Sequence, residues 1–143
     1  MTWSFSMEYD IITIGPGCTL RQPHDEDGYY CPICAEPLKQ WAMYDNNSRP
    51  ESSIICPGCT LQPDCDDMHF HDWIRSYADY IMAYRINWLD QKGWTADYLA
   101  RLKRVLGIEE SDLRENEGTL RSEWKRCWEL MLERNRRNAI DRG

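Results

Sequence analysis

The chain contains no apolar run near the roughly 18 residues that span a bilayer. Its opening, Met1 to Asp10, lacks the basic start and apolar stretch of a secretory signal. Seven cysteines is an odd number, so a closed disulfide framework is disfavoured. Together these absences predict a cytoplasmic protein with no membrane contact, in a reducing compartment where thiols hold metal. There is no H-E-x-x-H pair and no glycine-rich phosphate cradle. Positive charge is also short: 17 Lys and Arg against 24 Asp and Glu give a net charge of -7. That balance excludes a surface built throughout to neutralise phosphates. Phenylalanine is scarce as well, two beside seven Trp and eight Tyr, a set suited to surfaces where a ring packs and its polar tip reaches out.

The charge is uneven. Residues 1–94 carry 6 Lys and Arg against 14 Asp and Glu, whereas residues 95–143 carry 11 against 10. Nucleic-acid contact would therefore fall to the second half. At 143 residues the chain suits one domain, or a small metal module with a helical partner. The predicted fold class is α+β: a β-rich metal region over residues 1–65 packed on a helical region of three to four helices over residues 66–143, which could form one compact unit.

What the chain does have is two C-P-x-C pairs, Cys31/Cys34 and Cys56/Cys59. Four thiolates at this spacing can close a tetrahedron around one structural zinc ion. Such a site has no open position for substrate, so it organises a fold. The alternation from Trp3 to Ile14 reads as a strand, ended by a turn at Gly15-Pro16-Gly17 and followed by an acidic loop from His24 to Gly28. Leu38 to Tyr44 and Ser53 to Ile55 are candidate strands joined by a polar turn. The paired C-P-x-C turns resemble the knuckles of the zinc-ribbon family, which implies a fold and no particular activity. Those knuckles often carry Gly after the second Cys, where this chain has Ala35 and Thr60. Pro16 to Leu20 repeats as Pro57 to Leu61, so Cys18 resembles half a knuckle. Cys18, His24, Cys65, His69 and His71 are then candidate ligands for a second zinc ion, against the plainer reading of buried thiols and loop histidines.

Beyond Asp66 and Asp67 the pattern predicts a long helix from Met68 to Gln91. Phe70, Ile74, Tyr77, Ile81, Tyr84 and Trp88 share one face, and a second apolar set lies beside it. This surface reads as core, with a ligand groove as the less favoured alternative. Gly93 ends the helix, Thr95 caps the next from Ala96 to Leu106, and Gly107 stops that one. Ser111 is a candidate cap for a short turn through Glu115. A last helix is expected from Thr119 to about Asn138, with Leu120, Trp124, Cys127 and Met131 on its inner stripe and a basic end that suits the helix dipole.

Catalytic patterns are incomplete. His24-Asp25-Glu26 matches the H-x-E of nucleobase deaminases, but it lies too near Cys31, and Tyr30 stands where Pro is required. Cys18 near His24 has no residue to orient the imidazole as a base. The expectation is a non-enzymatic regulator or inhibitor that acts by binding a protein, a combination that resembles phage and mobile-element regulators. A rival reading starts from Thr95 to Leu113 and from L-R-S-E-W-K-R after Gly118. These resemble the helix-turn-helix of bacterial antitoxins with an N-terminal two-C-x-x-C domain. That resemblance implies a DNA-binding transcription regulator with Arg121, Ser122, Lys125 and Arg126 toward a major groove.

Overall fold

The computed structural model describes residues 7–15, 18–45, 47–51, 54–62 and 75–142. An antiparallel four-stranded sheet in simple order is followed by four helices, the α+β arrangement expected. Strand β1 (Glu8–Gly15) pairs with β2 (Cys18–Asp25), from Glu8 opposite His24 to Gly15 opposite Cys18. Short strands β3 (Gly28–Tyr30) and β4 (Pro37–Lys39) extend the sheet.

Strand β2 has no counterpart in the sequence reading, which placed a loop at His24 and a half-knuckle at Cys18. Its inward positions are Cys18, Leu20 and Gln22, all buried, and none of the three is a β-branched or aromatic strand former. Gln22 is tolerated inside because its amide is satisfied twice. Its Nε2 donates to Tyr44 O at 2.9 Å, and its Oε1 accepts from Tyr44 N at 3.0 Å. The acidic loop shrinks to the turn Glu26–Asp27, where Gly28 has φ +123 and a Cβ would lie 2.2 Å from Lys39 O. The strand expected at 38–44 is replaced by β4 and a single bridge between Tyr44 and Pro50; of the one expected at 53–55, Ile54 and Ile55 lie outside any strand and Ser53 lies outside the described residues. There Asp45 Oδ1 accepts from Asn47 N and Arg49 N and folds the chain into a tight turn in place of a ladder.

Helix α1 (Tyr77–Lys92) begins later than the periodicity predicts, because Ser76 is extended and its hydroxyl accepts from Asp79 N as an N-cap. Phe70 and Ile74 lie outside the described residues. From Tyr80 to Leu89 the helix is buried on nearly all sides, as a central post should be, and Arg85 is buried with it. Helix α2 (Ala96–Arg101) is capped by Thr95, then widens into a π-turn over Leu102–Leu106 that Gly107 closes at φ 68. Helix α3 (Glu110–Glu115) starts ahead of Ser111, with Asp112 accepting from Glu109 N, so Ser111 is not its cap. Helix α4 (Glu117–Arg142) follows after one residue, and Gly118 sits inside its first turn with no atom near where a side chain would go.

One core joins the two halves. Ile12, Leu20, Ile33, Leu38, Met43 and Leu61 from the first pack in the same cluster as Tyr80, Leu89, Leu102, Leu113 and Leu120 from the second. Trp124 closes it, with ring centres 5.4 Å from Tyr80 and 5.3 Å from Tyr84. Among the described residues, no helix is long and apolar enough to cross a membrane.

Candidate metal centre

The two C-P-x-C segments fold as near copies of each other. Cys31 N donates to Glu36 O and Cys56 N to Leu61 O, each at 2.9 Å; Ala35 N donates to Cys31 O and Thr60 N to Cys56 O, also at 2.9 Å. Ile33 N points at Cys31 Sγ at 3.4 Å and Gly58 N at Cys56 Sγ at 3.3 Å, donors that stabilise thiolate charge. Closing each turn forces the residue after its second cysteine into the left-handed region, φ 64 at both Ala35 and Thr60. The knuckle conformation is thus reached without the glycine that usually permits it. At Gly58 a side chain would meet Cys34 Sγ at 3.0 Å, so the bare backbone lets the two turns approach.

Cys31, Cys34, Cys56 and Cys59 are all buried, and their sulfurs lie within 4.8 Å of one another. Cys31 Sγ lies 3.6 Å from Cys59 Sγ, and Cys34 Sγ 3.5 Å from Cys56 Sγ. Disulfide bonds would require about 2.05 Å. A zinc-sized ion at ~2.3 Å from each of four sulfurs gives edges of about 3.8 Å, so the donor set fits one tetrahedral ion. Without a cation the thiols compete: burial pushes Cys31 far above its ordinary range, while hydrogen bonds from Cys31, Cys34 and Cys59 pull Cys56 far below.

The helical half grips the first knuckle through two arginines. Arg85 Nε donates to Ile33 O at 2.7 Å and its Nη2 to Pro32 O at 3.1 Å. Arg101 Nε donates to Cys34 O at 3.2 Å, and its Nη1 pairs with Glu36 at 3.2 Å. Three consecutive carbonyls are thereby held by positive charge beside a centre whose four thiolates exceed the charge of a divalent ion. Motif spacing gave no hint of either arginine. The one available signal was a cation at the centre of an otherwise apolar helix surface, Arg85 between Tyr84 and Ile86.

The set proposed for a second ion is not brought together where it is described. Cys18 opens β2 and His24 nearly ends it, six residues or about 20 Å apart. His24 Nε2 instead lies 3.1 Å from Asp10 Oδ1. Cys65, His69 and His71 lie outside the described residues. The Pro16 to Leu20 echo is not a structural one: Thr19 lies within β2, whereas its counterpart Thr60 is left-handed in a knuckle turn. Of the residues assigned to a DNA groove, Arg121 is held by both oxygens of Asp90 at 2.9 Å, and Arg126 by Glu123 at 3.0 Å. Ser122 and Lys125 are exposed on α4. No protein-family model matches the chain, and neither do the curated proteins or solved structures compared with it.

Proposed function

We propose that the chain is a zinc-stabilised, non-enzymatic regulatory or inhibitory protein that works by binding another protein. The tetrathiolate is its structural zinc site, in the manner of a zinc ribbon shortened to its two knuckles. With all four donors supplied by the protein, the ion has no position left for substrate.

The observation that carries the binding reading is an open groove of about 660 Å³ beside the first knuckle, lined by Tyr29, Tyr30 and Pro37 together with Glu26, Asp27 and one cation, Lys39. Tyrosines beside two carboxylates that outnumber the one lysine suit a partner that presents a basic side chain. Nearby in sequence, Trp41 is 58% exposed. The DNA reading is less favoured, because Arg121 and Arg126 would have to leave their carboxylates before meeting phosphate.

The test is co-purification from the native host with tagged wild-type protein and with the double variant Glu26→Lys, Asp27→Lys. A partner retained by the wild type and lost by the variant is the expected result. Substrate turnover by the metal-loaded protein, or specific duplex binding that falls when Lys125 is replaced, would sink it.

A further inference from the structure

Between the sheet and the helices lies a second concavity, a cleft of about 220 Å³. Leu20 and Arg21 of β2 form one wall, Ala78, Ile81 and Arg85 of α1 the other, and Leu106 closes one end. Its lining residues are apolar except for Cys18, Thr19, Arg21 and Arg85.

Arg85 is only 7% exposed, and two of its three nitrogens are spent on the knuckle carbonyls. Its third, Nη1, has no acceptor among the described residues. It is not sealed in either, since among them the one fully enclosed side-chain nitrogen or oxygen without a partner is Arg101 Nη2. Arg85 Nη1 therefore keeps some accessible surface, and Arg85 is one of the residues that line the cleft. Arg21 lies with its guanidinium carbon 4.0 Å from the centre of the Tyr9 ring. That ring is itself fixed by a 2.6 Å hydrogen bond from its hydroxyl to Val105 O. Arg101, Arg114, Arg121 and Arg126 each hold a carboxylate. Arg85 and Arg21 share one cleft, and neither pairs with a carboxylate among the described residues, so both guanidinium groups keep donors for an anion.

We propose that this cleft binds a compact organic acid, its carboxylate received by Arg85 Nη1 and Arg21 and its apolar body laid against Leu20, Ala78, Ile81 and Leu106. A planar fork suits a carboxylate, and the hydrogen bonds to the knuckle hold Arg85 in place before the ligand arrives. The volume lies below the roughly 300 Å³ at which pockets for drug-sized ligands begin, so the acid is of the size of benzoate and not of a nucleotide. Among the described residues no third cation lines the cleft to meet a phosphate dianion.

The experiment is a titration of the metal-loaded full chain, followed by amide chemical shifts and calorimetry, with benzoate, its neutral isostere benzamide, and inorganic phosphate as probes. Benzoate should bind saturably with a dissociation constant of about 0.1–1 mM, as expected of so small a ligand. Benzamide and phosphate should bind at least about tenfold more weakly, the loss expected when a charge-assisted pair is not made. Arg21→Ala should weaken benzoate about tenfold. Ala78→Trp, which fills the cleft from the first turn of α1, should abolish binding while metal content and melting temperature are kept. No saturable response, equal binding of benzamide or phosphate, or indifference to both variants would overturn the proposal.

Discussion

Replacing Arg85 by methionine removes the tie between the central helix and the first metal knuckle, and the structure sets the size of the effect. Two hydrogen bonds from a charged donor, to Ile33 O and Pro32 O, are worth about 1.5–3 kcal/mol each. Against them stands the cost of burying the guanidinium. Burial pulls its pKa from 12.5 to about 10, and the group stays charged at neutral pH at a cost of about 3 kcal/mol. Methionine fills much of the volume and removes that cost, but it leaves two buried carbonyls without a donor, at about 1–3 kcal/mol each. The balance is a net loss of about 2 kcal/mol or more, which for a chain of this length lowers the melting temperature by about 7 °C or more. Because those carbonyls belong to the turn that carries Cys31 and Cys34, zinc affinity measured by chelator competition should fall about tenfold or more. Arg85→Lys keeps the charge but cannot reach both carbonyls from one planar fork, so it should restore only part of the loss. A methionine variant that melts within about 2 °C of wild type and holds zinc equally well would refute the reasoning.

Four further outcomes follow from the geometry. Cys31→Ser or Cys59→Ser should lose the single bound ion and, with it, the packing of both knuckles, read by metal analysis and near-ultraviolet dichroism; chelation of wild type should do the same. Thr60→Gly should relieve about 1–2 kcal/mol of left-handed strain against about 0.5–1 kcal/mol of added chain entropy, so denaturant melts should show a gain of up to about 1 kcal/mol rather than a loss. Gly28→Ala should cost more than about 2 kcal/mol in the same melts, since its φ of +123 disfavours a side chain and the Cβ would strike Lys39 O. Arg121, with Trp94 assisting, holds the Asp90 carboxyl below its ordinary value, so this pair adds stability above about pH 4 and loses it as pH falls through the lowered pKa. The pair is well exposed, which limits its contribution to under about 1 kcal/mol, and a carboxyl titration by nuclear magnetic resonance should move back up in Arg121→Gln.

The parts legible in advance were those where the signal is local. C-P-x-C spacing placed the four ligands because a turn of that length brings two sulfurs to one side whatever surrounds it. Thr95, Gly93 and Gly107 marked helix ends because capping is settled within a few residues. Other features misled for the opposite reason. Cys18, Leu20 and Gln22 gave a weak strand pattern, and β2 exists because β1 pairs along its whole length and Tyr44 satisfies the buried amide of Gln22. Gly118 looked like a break, yet glycine in a first helical turn costs too little to stop a helix that buries Leu120, Cys127 and Met131.

By itself the sequence determined the four-cysteine centre, the charge balance and the order of sheet and helices, because spacing, composition and short-range periodicity carry those. Only the tertiary structure decided where the chemistry of the arginines goes. It buried Arg85 against the knuckle 52 residues before it, set it on the wall of a cleft that Arg21 also lines, and tied Arg121 to Asp90. Partners this distant in the chain leave no periodic trace, since each pairing depends on how whole elements pack and not on what stands beside each residue.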